Sequence, residues 1–555
     1  MKFSEFPYKR PNISKTCGQY DDMIRRLQAA TGPESQIDIL LEHEQLFRHI
    51  LTMQSLAFVR NTLDSTDPFY EAEIAYCNET EPVFQDKVND FYKALLASPF
   101  RRELEERFGS LFFQNLEMET RSISPDIIPL IQEENKYSTQ YRKLLASAQI
   151  PFDGKMLNIS QLGAYKEDSN REVRRDAYAA EGAFYNAHRQ ELDEIFDSMV
   201  KNRTEQARRL GFENFIPLGY LRRTRNCYTP DQIDFYRRQV VKELVPIVNG
   251  VKERQARRIG LSKLKFYDDL AVFPDGNPSP KGTPEEMMAA GRQMYHEMSS
   301  ETGRFIDYML EHDLFDLMAK KGKSVGGYCT TFPEYQAPFI FSNFNGTSGD
   351  VDVLTHEAGH AFAAYLANGI ELEELSNPTM DSCEVHSMSM EFLATPWFPL
   401  FFGDESEKYR IAHLESCISF IPYGCLVDHF QHIVYAQPEL APAQRSQEWL
   451  RLEKLYRPYI DFEDLPFYSE GYGWQRQSHI YHNPFYYIDY CLAQTVAFQI
   501  KLLDMENHQL AWSRYLSFVQ KAGTQTFTQL VEQSGLQSPF EKGCIQAIAS
   551  KLSAL

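Results

Sequence analysis

The 555-residue sequence has no long apolar run. Its longest apolar stretches, residues 392–402 and 417–427, are eleven residues each and contain proline. A membrane-spanning helix needs about 18–20 apolar residues, so both stretches are too short. The first ten residues also lack the apolar segment of a secretory signal peptide. The sequence therefore predicts neither a membrane span nor a secretion signal.

Regular cysteine spacing is also missing. The nine cysteines are an odd number, and no two of them have CxxC spacing. Neither a disulfide framework nor a cysteine-ligated zinc site is indicated. Because reduced thiols are the rule in the cytosol, we expect a cytoplasmic protein.

Basic residues are fewer than acidic residues. The chain has 57 Lys and Arg residues against 77 Asp and Glu residues, a formal charge of −20. Such an acidic surface repels phosphate backbones. Short basic clusters at residues 171–175 and 222–225 are interrupted by other residue types. We therefore expect no nucleic-acid partner.

Most of the chain carries apolar residues three or four positions apart, which predicts helices. The clearest helical segments are residues 35–62, 68–96, 170–210, 229–259 and 283–312. Residues 326–331 and 337–344 instead predict two short strands. We expect a mainly α fold with a small β-sheet, divided into an N-terminal helical region over residues 1–200 and a second domain over residues 201–555.

An HExxH motif lies in an apolar segment of the second half, at residues 356–360. Chance matches to this pattern number roughly 0.03 in a chain of this composition. Residues four apart share one face of a helix, so His356 and His360 are predicted to bind one zinc ion. Zinc lowers the pKa of a bound water molecule towards about 7, and Glu357 is placed to accept its proton as general base.

A catalytic zinc usually has a third protein ligand. The metzincin pattern fails, because Ala363 and Leu366 stand where it needs Gly and His. The one-zinc aminopeptidase pattern also fails, because Thr379 stands where it needs Glu. The acidic residues that follow the motif are Glu371, Glu373, Glu374, Asp381, Glu384 and Glu391.

The first three of these acids lie in a polar connection and are expected to face solvent. The others lie on a predicted second helix that begins near Thr379. Glu384 is best placed as the third zinc ligand. Glu391 is placed to hydrogen-bond a ligand imidazole, although a solvated helix face is an equally good interpretation of this residue.

Three blocks occur in order along the chain: HEAGHAF at 356–362, SCEVHSMSMEF at 382–392 and HIYHNPFYYIDY at 479–490. Together they resemble the thimet oligopeptidase and oligoendopeptidase F family of zinc metallopeptidases, most closely bacterial oligoendopeptidase F. The resemblance extends over about residues 160–550. It implies an elongated, almost entirely helical peptidase with a deep channel and a small sheet beside the zinc helix.

The same resemblance implies zinc binding by His356, His360 and Glu384, one ion per chain, with Glu357 as general base. It also implies that His and Tyr residues of the third block stabilise the oxyanion. His479 and Tyr487 are the first candidates, followed by Tyr486 and Tyr490. The choice among these residues and His482 stays open, since about half of this aromatic run is expected to be core packing.

The resulting hypothesis is a zinc endopeptidase, with its catalytic domain over residues 201–555, that cleaves short unstructured peptides and has neither a nucleic-acid nor a membrane partner. Residues 337–344 are predicted to be an edge strand that an extended peptide could pair with. Two alternatives remain: a zinc carboxypeptidase in a similar helical scaffold, and an inactive relative that binds peptides. The sequence does not predict the oligomeric state, and residues 1–200 could form a channel wall or a lid, of which we favour a wall.

Overall fold

The computed structural model describes residues 1–553, and helices dominate them. The N-terminal helices are α1 Ile13–Ala29, α2 Pro33–Leu63, α3 Pro68–Leu96, α4 Arg101–Phe108, α5 Ser110–Glu119 and α6 Ile128–Ala146. A two-stranded hairpin follows, with β1 Ile150–Phe152 antiparallel to β2 Lys155–Leu157. The next helices are α7 Ile159–Lys166, α8 Arg171–Ala187, α9 Arg189–Arg209, α10 Phe215–Arg222, α11 Pro230–Gln239, α12 Val245–Arg258, α13 Pro284–Met298 and α14 Ser300–Glu311.

The strands of a three-stranded sheet follow these helices along the chain. Its strands are β3 Phe315–Met318, β4 Tyr328–Phe332 and β5 Ala337–Phe344. The remaining helices are α15 Gly349–Leu366, α16 Glu373–Ser376, α17 Met380–Leu393, α18 Phe398–Phe402, α19 Ser406–Ala436, α20 Pro442–Tyr456, α21 Ser478–His482, α22 Tyr487–Glu506, α23 His508–Val519, α24 Phe527–Gln533 and α25 Cys544–Leu552. The mainly α fold with a small sheet is thereby confirmed.

The predicted helices are present, but three of them are interrupted. The segment 170–210 divides at His188, between α8 and α9. The segment 229–259 contains a π-helical stretch, Val240–Leu244, and the segment 283–312 divides at Ser299, which caps α14. The spacing of apolar residues did not reveal these breaks, because apolar residues continue to occur three or four positions apart across each of them. Position 200, the predicted domain boundary, lies inside α9.

The strand order of the larger sheet is β3-β5-β4, so β5 lies in the middle and β4 at an edge. The prediction that residues 337–344 form an edge strand was therefore wrong. β5 pairs with β4 in the antiparallel direction and with β3 in the parallel direction. β3 was not predicted, and its pairing converts β5 from an edge strand into a central one.

Helix α15 packs against β5 on one side and against α17 on the other, and α17 packs in turn against α22. The side chains of Val351, Leu354 and Phe362 are buried in the core around the sheet. Three large cores support the chain: one around the sheet, one among α1–α5 and one among α8–α12 and α19–α25. This stacking brings the predicted zinc helix, its neighbour α17 and the start of α22 together.

Among residues 1–553, none of the helices combines the length and the apolar character that crossing a bilayer requires. All nine cysteines are free thiols.

Candidate metal centre

Two histidines and one glutamate converge at the contact between α15 and α17. His356 and His360 lie one turn apart on α15, and their Nε2 atoms are 3.4 and 3.5 Å from Oε2 of Glu384 on α17. The ligand atoms of all three residues lie within 4.8 Å of one another. Ligands about 2.0–2.1 Å from a tetrahedral zinc ion are about 3.4 Å apart. The three side chains therefore fit a zinc ion in both chemistry and spacing.

The two helices approach closely because α15 has glycine between its two histidines. A Cβ atom added to Gly359 would lie 2.6 Å from Cα of Ser387 and 2.8 Å from the carbonyl oxygen of His386. Only a residue without a side chain fits against the α17 backbone at this point. The glycine thus allows Glu384 to reach the imidazoles of α15.

A second carboxylate holds the ring of His356. Glu391, two turns after Glu384 on α17, accepts a hydrogen bond from His356 Nδ1 at 2.6 Å. Its other oxygen lies 2.7 Å from Nε2 of His413 on α19. Burial alone would raise the pKa of Glu391, but the hydrogen bonds from the two imidazoles lower it to about 2. Such a carboxylate fixes the ring orientation and leaves Nε2 free for a metal.

Glu384 is held as a carboxylate. Burial would raise its pKa, but the neighbouring His360 and His356 lower it well below its usual range. Its Oε1 accepts a hydrogen bond from the hydroxyl of Tyr486, while Oε2 faces the imidazoles. Burial and the charge of Glu384 raise the pKa of Tyr486, so the phenol stays neutral and able to donate.

A cavity opens over the three converging side chains. Its walls include His356, Glu357, His360, Glu384, Tyr486, Tyr490 and residues 327–331 of β4 and the preceding turn. Glu357 therefore faces the same space as the histidines without belonging to the converging group. Tyr490, one turn after Tyr486, is a wall residue whose ring centroid is 4.8 Å from that of Tyr486.

The other predicted oxyanion candidates have different surroundings. Tyr487 contacts Phe420 and Tyr423 of α19, and its side chain is not part of the cavity wall. The ring centroid of His479 lies 5.8 Å from that of Tyr486, and its Nδ1 lies 2.9 Å from the Gln477 amide nitrogen. Burial, followed by the charge of Arg223, lowers the pKa of His479 to about 4. It is thus a neutral imidazole that packs beside the rings of Tyr486, Tyr487 and Tyr490.

His482 faces away from this space, because its Nδ1 is 2.5 Å from the hydroxyl of Ser138 on α6. The structure thus brings together His356, Glu357, His360, Glu384, Tyr486 and Tyr490, and leaves three of the candidates, His479, Tyr487 and His482, outside the cavity wall.

A strained residue sets the direction of Tyr486. Phe485 has a φ of 64°, which is rare for an aromatic residue. Its backbone nitrogen donates to Gln431 Oε1 at 2.9 Å, and its carbonyl accepts from the buried Arg225. Its ring lies so close to Gly219 that a Cβ atom there would be 2.6 Å away. These contacts hold Phe485 in the conformation that directs Tyr486 towards Glu384.

Sequence reasoning missed His413, Arg225 and Gln431. None has a spacing relation to the HExxH motif: His413 and Gln431 lie on α19, and Arg225 lies in the connection between α10 and α11. Their residue types alone are common on helix surfaces, so the sequence carried no signal for them.

Comparison with known proteins places this geometry in a family. The model described as peptidase family M3 matches residues 164–550, and the peptidase M3 N-terminal domain model matches residues 3–123. The solved structure of PZ peptidase A with inhibitor 2 is 46% identical, covers 100% of this chain and 98% of its own, and has a TM-score of 0.97.

Two curated relatives are more distant. The chromosomal oligoendopeptidase F of Lactococcus lactis subsp. cremoris is 20% identical over 391 residues, which are 67% of this chain and 61% of the relative. Group B oligopeptidase PepB of Streptococcus agalactiae serotype III (strain NEM316) is 21% identical over 336 residues, 58% of this chain and 53% of the relative. The matched regions thus span less than two thirds of either curated relative.

Proposed function

The chain belongs to peptidase family M3, and from this premise we propose that it is a zinc-dependent endopeptidase that hydrolyses internal bonds of short, unstructured peptides. The observation that carries the proposal is the convergence of His356, His360 and Glu384 at zinc-ligand spacing, with Glu357 on the same cavity wall. The names of the related proteins, an oligoendopeptidase and an oligopeptidase, support the choice of substrate.

In this proposal, His356, His360 and Glu384 hold one zinc ion. When bound, zinc supplies a Lewis acid that polarises the scissile carbonyl and lowers the pKa of water. Glu357 accepts the proton of the attacking water and passes it to the leaving amine. The protein thus needs one general base that faces the metal but does not bind it, and Glu357 has this position.

Tyr490 is our choice of oxyanion donor. It lines the cavity, and burial raises its pKa, so the phenol keeps its proton and can donate a hydrogen bond to a developing negative charge. Tyr486 also faces the cavity, but its hydroxyl is engaged by Glu384 and serves to orient that carboxylate. His479 would pack beside the tyrosines, and Tyr487 would pack the wall.

The substrate would bind as an added strand on β4. This strand is at the edge of the sheet, and its residues 328–331 border the cavity beside the converging histidines. Main-chain pairing with β4 would align a peptide of almost any sequence across the site. The N-terminal helices would form one wall of the channel, since Phe47 and Leu116 border a cavity that shares Asn377 and Pro378 with the cavity of the metal centre. The free cysteines fit a reducing compartment such as the cytoplasm.

The variant Glu357→Gln tests the assignment of the base. It should bind zinc as the unaltered protein does and lose about three or more orders of magnitude in turnover, because the amide cannot accept the proton. Glu371→Gln is the matched control, since Glu371 lies at the surface paired with Arg107 and should not affect turnover. Undiminished turnover in Glu357→Gln would rule out the assignment.

A further inference from the structure

A second group of potential metal ligands lies where the N-terminal helices meet the catalytic half. His43 and Glu44 belong to α2, and Glu374 belongs to α16, in the segment that connects α15 to α17. Leu375 of α16 is buried in the core of the N-terminal helices. The group therefore joins the N-terminal helices to the connection between the two helices of the candidate metal centre.

The donor atoms of this group converge. His43 Nε2 lies 3.2 Å from Glu374 Oε1 and 3.9 Å from Glu44 Oε1. The ligand atoms that the three residues offer lie within 4.8 Å of one another. Neighbouring ligands about 2.1 Å from a divalent cation are about 3.0–3.4 Å apart, so small side-chain adjustments would complete the coordination.

Two carboxylate oxygens in the group have no hydrogen-bond partner within residues 1–553. They are Oε1 of Glu44 and Oε2 of Glu374. The Glu44 side chain is only 5% exposed, and its unpartnered oxygen points towards the imidazole of His43. Buried carboxylate oxygens require a donor, a cation or a proton shared between two carboxyl groups, because solvent does not stabilise their charge.

The surrounding charges also favour a cation. Two carboxylates, those of Glu44 and Glu373, approach the guanidinium of Arg48, and the Glu374 carboxylate adjoins Glu44. Arg48 Nε lies 3.5 Å from Glu44 and 3.4 Å from Glu373. A divalent cation and Arg48 together would balance the negative charges of these three carboxylates.

Surrounding residues hold the donors in place. The Tyr20 hydroxyl lies 2.9 Å from His43 Nδ1, so Nε2 is the ring nitrogen that faces Glu374 Oε1, at 3.2 Å, and would bind the cation. The Tyr92 hydroxyl donates to Glu374 Oε1, and the backbone nitrogen of Glu373 donates to Glu44 Oε2 at 2.8 Å. Partners of this kind orient ligands in metal sites. Here they leave Glu44 Oε1 and Glu374 Oε2 free.

We propose that His43, Glu44 and Glu374 bind a second divalent transition-metal ion, of the class of Zn²⁺ and Mn²⁺, which one imidazole and two carboxylates suit. The ion ties the α15–α17 connection to the N-terminal helices. It enters from the cavity that Glu373 and Glu374 border together with Phe47 and Glu119. The site is independent of the proposed peptidase activity, because the two ligand sets share no residue.

Metal stoichiometry tests the proposal. Full-length protein is stripped with a chelator, reloaded with excess Zn²⁺ or Mn²⁺ alone, desalted and analysed by elemental mass spectrometry. We expect two ions per chain in the unaltered protein and one in the Glu44→Gln/Glu374→Gln double variant. Glu119→Gln is the matched control, since Glu119 borders the same cavity but bonds Gln85 instead of joining the group, and it should keep two ions.

The variant His356→Ala/His360→Ala separates this site from the candidate metal centre. It should retain one ion, and that ion should raise its thermal unfolding temperature. One ion in the unaltered protein and none in this variant would overturn the proposal and leave the peptidase function intact. Two ions in Glu44→Gln/Glu374→Gln would also overturn it. If Glu44→Gln/Glu374→Gln does not fold, as judged by circular dichroism, the numbers of ions in the unaltered protein and in His356→Ala/His360→Ala still test the proposal.

Discussion

The contact between α15 and α17 depends on Gly359, and its replacement by alanine gives a sharp prediction. The added Cβ atom would lie 2.6 Å from Cα of Ser387, whereas ordinary contacts begin at 3.4 Å. The two backbones would have to separate locally by about 0.8 Å, because neither contacted atom is part of a flexible side chain. Overpacking of this kind costs about 1–3 kcal/mol, against about 1 kcal/mol gained from helix propensity.

The same displacement would affect metal binding. Gly359 directly precedes His360, and Ser387 lies one turn after Glu384, so separation of the helices widens the 3.4 and 3.5 Å spacings. We expect Gly359→Ala to lower the thermal unfolding temperature and to weaken zinc affinity by at least about tenfold. Thermal scans and competition with a chromogenic chelator measure the two effects.

Gly18→Ala is the matched control for Gly359→Ala. Gly18 lies inside α1, and an added Cβ atom would have no neighbour within 4 Å. Because alanine favours helix by about 0.5–1 kcal/mol over glycine, this variant should be slightly stabilised and should bind zinc normally. If Gly359→Ala behaves like Gly18→Ala in both assays, the close approach of the helices does not hold the site together and the reasoning is refuted.

Three further predictions concern Glu391, the tyrosines of α22 and His429 of α19. Glu391→Gln should weaken zinc affinity by about 10–100-fold, because the amide holds His356 and His413 less firmly than the carboxylate does. Competition with a chelator measures this affinity, and an unchanged value would contradict the role given to Glu391. Tyr490→Phe should lower kcat about 10²–10³-fold with little change in KM, whereas Tyr487→Phe should leave kcat nearly unchanged. A larger loss of kcat in Tyr487→Phe than in Tyr490→Phe would assign the oxyanion role to Tyr487. Burial lowers the pKa of His429 to about 4, below its unfolded value near 6.5, so its stabilising contribution is complete above pH 6.5 and is lost as the pH falls towards 4. Urea unfolding at pH 7 and pH 5 should show a smaller pH dependence for His429→Asn than for the unaltered protein, and equal dependence would contradict this cause.

Local sequence patterns predicted much of the fold and part of the site. The segment 68–96 is one helix with the predicted bounds, and the zinc helix follows a small sheet. His356, His360 and Glu384 converge as expected, because the first two share one turn and the third lies on the next long helix. Periodicity within a helix and order along the chain were sufficient for these features.

Features that depend on long-range contacts could not be predicted. The edge position of β4 follows from the pairing of β3 with β5, which no local pattern shows. The left-handed conformation of Phe485, the residue before Tyr486, is likewise shown by no local pattern. That conformation depends on Gln431, Arg225 and Gly219, which are distant in sequence.

Cleavage of an internally quenched fluorescent peptide would show whether the protein is a zinc-dependent endopeptidase. The peptide should offer several internal bonds, and the products should be identified by mass spectrometry with and without a zinc chelator. We expect cuts at internal bonds, loss of activity with the chelator and recovery of activity when Zn²⁺ is restored. Cleavage that persists in metal-free protein, or removal of C-terminal residues alone, would contradict it.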